Sequence, residues 1–129
     1  MIAFDSSALV KLVQQEAESD ALEAWLAGRQ ADWTASELCR VEVARAARRS
    51  PLPATRPAAQ VLSALDLVPM SAALLDRAAE LAPPSLRSLD AIHLASALEL
   101  GAALEAFLVY DEQLADAARA HGLPVVRPA

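Results

Sequence analysis

The chain has 129 residues, a net charge of -6 and a single cysteine, Cys39. That length suffices to bury a core without disulfides, and one cysteine excludes an internal disulfide and any cysteine-rich zinc site. The acidic balance argues against holding nucleic acid by bulk electrostatics, so an anionic ligand would need a metal ion or a local basic patch. Arg40, Arg45, Arg48, Arg49 and Arg56 supply five of the eleven basic residues in a short span, although a solvated arginine face explains them equally well. No stretch is apolar for the length of a bilayer crossing, and no basic region followed by an apolar run opens the chain. It reads as one domain over residues 1–129, soluble, unprocessed and cytoplasmic, with no membrane contact.

Ile2 to Phe4 is a short apolar run that ends at Asp5, with Ser6 and Ser7 leading into ALVKLVQQE, the pattern of strand, acidic residue, helix. A helix follows from Ser19 to about Ala27, closed by Gly28. A short strand is expected over Asp32 to Ala35. Thr34-Ala-Ser-Glu37 has the capping-box pattern and announces a helix to about Arg49, ended by Ser50-Pro51. After the proline-rich segment Pro51 to Pro57 come a helix over Ala58 to Leu65, a strand at Leu67 to Val68, and a helix capped by Ser71 that stops at Pro83-Pro84. Ser88 to Gly101 is the central helix, with Ser88 as its cap and enough apolar residues to be largely buried against a sheet. Ala106 to Tyr110 is a compact apolar run ending at Asp111, followed by the helical EQLADAARAH and a last strand near Pro124 to Val126. Short strands alternating with helices indicate an α/β fold with a mainly parallel sheet.

Two strands thus run directly into an aspartate. In an open parallel sheet the carboxyl ends of the strands line the ligand crevice, which places Asp5 and Asp111 at that edge. Asp90, in the first turn of the central helix, starts from the same edge, and Glu42 is able to reach it from within its helix. Helix capping alone explains isolated acids of this kind about as well as a metal site does. Carboxylates forced together repel, and such a cluster binds a cation or shares a proton. Oxygen ligands without paired histidines or cysteines favour Mg2+ or Mn2+ over Zn2+. The matching chemistry is hydrolysis of a phosphodiester by metal-activated water.

The segments Asp5-Ser-Ser-Ala-Leu-Val-Lys11, Glu42, Arg87-Ser-Leu-Asp90-Ala-Ile-His93-Leu-Ala-Ser-Ala97 and Tyr110-Asp111-Glu-Gln-Leu-Ala-Asp-Ala-Ala118 together resemble the PIN domain, and more narrowly the VapC-type ribonuclease toxins of toxin-antitoxin pairs. The resemblance spans nearly the whole chain in the right order. It implies a three-layer α/β/α domain with four or five short strands, Mg2+- or Mn2+-dependent cleavage of structured RNA such as tRNA or rRNA, a homodimer, and inhibition by a small antitoxin. By position Asp5, Glu42, Asp90 and Asp111 match the family's acidic quartet, with Asp5 and Asp90 expected on the metal and Glu42 and Asp111 on a second metal or on water. The family often carries Thr or Ser two residues before its last aspartate; here Val109 stands there, which weakens the assignment of Asp111.

Ser7 and Arg87 are candidates for substrate contact, against helix capping for the serine and pairing with a neighbouring acid for the arginine. His93 reads as a packed histidine with a hydrogen bond, His121 as a helix C-terminal residue, and Asp116 as surface. Trp25 and Trp33 read as core or interface residues before base-stacking platforms. The competing functions are a metal-dependent DNase or phosphohydrolase, and a catalytically silent interaction module whose acids only cap helices.

Overall fold

The computed structural model describes residues 1–129. Five short strands, β1 (Ile2–Phe4), β2 (Trp33–Ser36), β3 (Leu65–Val68), β4 (Ala106–Leu108) and β5 (Val125–Val126), alternate with seven helices. The helices are α1 (Ser6–Val13), α2 (Ser19–Ala27), α3 (Cys39–Arg49), α4 (Ala58–Ser63), α5 (Ala72–Glu80), α6 (Ser88–Leu98) and α7 (Glu112–Ala120). All strands pair in parallel, in the order β3-β2-β1-β4-β5. From β1 the chain winds outward through β2 to β3, then returns to the other side of β1 for β4 and β5. The strand order therefore reverses between β1 and β4, where a parallel α/β sheet opens its crevice.

Pleating divides the core. Ile2 and Phe4 point to one face, packed with Leu9, Leu12, Leu22 and Val43 from α1, α2 and α3 and with Val61 of α4. Ala3 and Phe107 point to the other, against Leu94 of α6 and Leu114 and Ala118 of α7, with α5 closing over α6 through Leu74 and Ala78. The result is a three-layer α/β/α arrangement whose central strands are buried on both faces, as parallel sheets require. Each large side chain so buried contributes roughly 1.5–3 kcal/mol. Phe4 is level with both Ala35 and Leu108, so the chain leaves β1, β2 and β4 at one edge.

Most expected elements form, with differences at their ends. The capping box of Thr34 and Glu37 is not used. Thr34 lies buried in β2, Glu37 Oε1 accepts from the Met70 N–H at 2.6 Å, and α3 starts at Cys39 with no side-chain cap. A β-branched residue in a strand flanked on both sides gains more from the ladder than from a local cap. Likewise Ser88 is the first residue of α6 and no cap; Arg87 holds the cap position without a side-chain bond. Helix α4 ends at Ser63 because Leu65 already pairs with Trp33, which lengthens β3 beyond the expected two residues. Helix α6 is buried along Ala91 to Ala97 but leaves Leu89 half exposed. At the end of α7 Gly122 takes φ +79°, and the Leu123 N–H reaches back to the Ala118 carbonyl at 3.0 Å, a glycine-dependent stop.

Candidate active site

The reversal between β1 and β4 is bordered by the starts of α1 and α7, and the aspartates there hold those starts. Asp5 sits at the N-cap of α1, its Oδ1 accepting the Ala8 N–H at 3.0 Å. Asp111 does the same for α7 through the Leu114 N–H at 2.9 Å. Asp90 and Glu42 occupy the first turns of α6 and α3. All four acids thus stand at positive helix ends, a favourable local setting for carboxylates.

Asp5 is the most confined, with 4% of its surface exposed. Its pKa is raised to about 6, chiefly by burial; the Ser7 hydroxyl, the Ala8 N–H and His93 oppose the rise, and the charge of Asp90 adds to it. Helix α6 thus carries Asp90 and His93 within electrostatic reach of Asp5. Ser7 donates to both Asp5 oxygens, at 2.6 and 2.8 Å, and accepts the Tyr110 N–H at 3.1 Å, tying the chain after β1 to the chain after β4. Its hydroxyl is committed within the protein, so its direct role here is to orient Asp5.

Glu42 is turned toward α1 and α6. Ser6 donates to its Oε1 at 2.7 Å, and His93 Nε2 lies 2.6 Å from the same oxygen. Burial opposes the Glu42 carboxylate, but the bonds from His93 and Ser6 outweigh it and hold its pKa below the usual value. An ionised carboxylate only accepts, so Nε2 carries the hydrogen; Nδ1 is buried with no partner. His93 is indeed packed and hydrogen-bonded, and it belongs to the site through Glu42. The signal in the sequence was its place one turn after Asp90.

Arg87 closes the other side. Its Nε bonds Asp90 Oδ2 at 2.9 Å and its Nη2 bonds Asp111 Oδ2 at 3.0 Å, while most of its side chain stays in water. Val109, whose lack of a hydroxyl weakened the case for Asp111, points away from this edge. It is fully buried in the core beneath α6 and α7, and Asp111 is fixed by Leu114 and Arg87 instead.

The site therefore gathers Asp5, Asp90 and Asp111 around the strand reversal, with Glu42 beside them. No three His, Cys, Asp or Glu side chains converge at metal-ligating distance in this arrangement; Arg87 bridges two of the acids, and His93 and Ser6 hold the fourth. The donor set nevertheless fits a hard divalent cation. It consists of carboxylate oxygens, one of them desolvated beside a second, and it already attracts the one positive group within reach. His121 and Asp116 lie outside this cluster: His121 Nε2 meets the Ala82 carbonyl at 2.8 Å at the end of α7, and Asp116 pairs with Arg119 on the surface. Trp33 packs on Phe4, ring centres 5.2 Å apart, and Trp25 lies under Arg29; neither is a free stacking surface.

A model of the PIN domain matches residues 2–126, and the chain belongs to that family, in its VapC ribonuclease branch. It is similar to Ribonuclease VapC35 of Mycobacterium tuberculosis, 47% identical over 134 residues that cover 99% of this chain and 97% of that protein. Ribonuclease VapC46 of the same organism is 42% identical, covering 98% of this chain and 97% of its own length, and Ribonuclease VapC47 is 39% identical, covering 99% and 97%. Among solved structures, Mycobacterium tuberculosis VapC20, described as a sarcin-ricin loop cleaving toxin, superposes with a TM-score of 0.76 over 99% of this chain and all of that one. At 17% identity that likeness speaks to the fold.

Proposed function

We propose that the chain is a metal-dependent endoribonuclease that acts as the toxin of a toxin-antitoxin pair. The observation that carries this is that Asp5, Asp90 and Asp111 border one edge at the reversal of the parallel sheet, with Arg87 bridging two of them and Glu42 alongside, in a chain whose relatives carry ribonuclease names. Asp5 and Asp90 would hold a Mg2+ or Mn2+ ion, with Glu42 and Asp111 completing the set. When bound, that ion supplies an activated water and charge compensation at the phosphate.

The chain's own residues do the rest. Ser7 and the Ala8 N–H fix both oxygens of Asp5, so the carboxylate needs no reordering when a ligand arrives. Ser6 and His93 keep Glu42 ionised and directed, available to orient water or accept a proton at Oε2, the oxygen these bonds leave free. Arg87, which spans Asp90 and Asp111 from the solvent side, would offer its fork of N–H groups to a phosphate oxygen.

The homodimer and the antitoxin follow from the family. Apolar surface is at hand for such partners: Leu75 and Leu89 are exposed on α5 and α6, and Leu89 adjoins Asp90 at the mouth of the crevice. No helix is long and apolar enough to cross a membrane; action in the cytoplasm, like the antitoxin, follows from the family.

The test is to present RNA, DNA and a generic phosphodiester side by side in Mg2+ or Mn2+, with Asp5→Asn and Asp90→Asn as controls. RNA cleavage lost in both variants is expected. Preferential cleavage of DNA or of the small ester would change the substrate class, and indifference to both substitutions would reduce the acids to helix caps in an interaction module.

A further inference from the structure

The five arginines grouped by the sequence separate in the structure. Arg56 pairs with Glu23 at 2.7 Å and donates to the Leu12 carbonyl at 3.0 Å. Arg40, Arg45, Arg48 and Arg49 are exposed on α3 and form no ion pair or hydrogen bond. Every other basic side chain has a partner: Lys11, Arg77, Arg87, Arg119 and Arg127 meet carboxylates, and Arg29 lies 3.6 Å from the centre of the Trp25 ring. In a chain of net charge -6, all the partnerless cations are on one helix, and that helix delivers Glu42 to the crevice.

Arg48 and Arg49 stand in the last turn of α3, where the helix dipole favours them. That explanation does not reach Arg40 or Arg45. Arg45 and Arg49 follow Glu42 by three and seven residues, so the three share a stripe of the helix. With a rise of about 1.5 Å per residue they lie about 5 and about 10 Å further along the axis, leading away from the crevice.

We propose that Arg45 and Arg49, with Arg48 beside them, form a rail for the phosphates of a single-stranded stretch of the RNA substrate as it runs from the crevice along α3. The proposal rests on the ribonuclease reading. Charge complementarity selects the occupant: the acidic crevice repels a phosphate backbone, and the rail supplies the attraction the rest of the surface lacks. Contacts of this kind give affinity and position and leave base choice to other groups.

The experiment is anisotropy titration of the full chain with a fluorescein-labelled single-stranded RNA in EDTA, from 20 mM to 500 mM salt. At 0.1 M salt each lost phosphate contact is worth about fivefold in affinity, so Arg45→Gln/Arg49→Gln should bind about 25-fold more weakly, with a salt slope shallower by about 1.4. Arg45→Lys/Arg49→Lys should stay near the wild type, as should Arg119→Gln, which removes a basic residue away from α3. In cleavage assays with Mg2+ the glutamine pair should raise KM and leave kcat unchanged. A wild-type slope retained by the glutamine pair overturns the rail, and is the result expected if an acidic protein partner covers α3 instead. Failure of the wild type to bind at 20 mM salt also overturns it. In either case RNA cleavage by the wild type in Mg2+ shows that the ribonuclease reading survives, and its absence that both have failed.

Discussion

Replacing Asp5 with Asn should make the metal-free protein more stable while removing its activity. The carboxyl is 4% exposed and its pKa is raised from 3.8 to about 6, chiefly by burial. For an acid whose folded pKa is raised, the folded state binds the extra proton, so stability falls as pH climbs from the unfolded pKa through the folded one and is constant above it. A shift of about two units corresponds to about 3 kcal/mol of lost stability at pH 8, and to only about 1 kcal/mol at pH 4.5. Asn keeps the acceptor for Ser7 and the Ala8 N–H and caps a helix as well as Asp does. The variant should therefore be about 3 kcal/mol more stable at pH 8, about 11 °C in melting temperature for a chain of this size, with the gain shrinking to about 1 kcal/mol at pH 4.5. Urea unfolding in EDTA at the two pH values measures it. An offset independent of pH, or a destabilised variant at pH 8, would refute the claim that burial strains this carboxylate.

Three further outcomes follow from the same geometry. Arg87→Met removes the guanidinium that occupies Asp90 and Asp111 and should tighten Mn2+ binding about three- to tenfold by calorimetry, the scale of two exposed ion pairs; weaker binding would mean that Arg87 organises the acids. Val109→Thr, which restores the family's usual hydroxyl, should cost about 1–3 kcal/mol in urea unfolding without raising kcat, because that side chain lies in an apolar core. Cys39 is buried and its thiol is pushed up to about 11, chiefly by burial, with Glu42 adding to it. It should resist iodoacetamide at pH 8 in the folded protein and react once urea unfolds the chain.

What the sequence disclosed depended on how local each signal was. Ile2-Ala-Phe-Asp5 carries a buried strand, its end and its acid in four consecutive residues, and both the strand and the aspartate at the sheet edge stand as read. The alternation of strands and helices announced a mainly parallel sheet, but the order of the strands, and with it the crevice between β1 and β4, is visible only in the fold. Contacts between distant segments were not legible. Nothing near Glu42 announces that Ser6 and His93 will meet it, and nothing near Arg87 fixes its choice between a free phosphate site and a bridge from Asp90 to Asp111. Thr34 misled for a related reason: its cap pattern was local, while its pairing with Ala3 and Asp66 on neighbouring strands prevailed. The arginine cluster was visible as composition, but only the fold separates Arg56 from the four on α3.

The most direct test of the central claim is cleavage of a mixed structured-RNA pool by the purified chain in Mg2+, Mn2+ or EDTA, beside Asp90→Asn. The acid cluster predicts cleavage with either metal, none in EDTA, and loss of at least about a hundredfold in the variant. Cleavage that persists in EDTA, or an Asp90→Asn protein as active as the wild type, would contradict it.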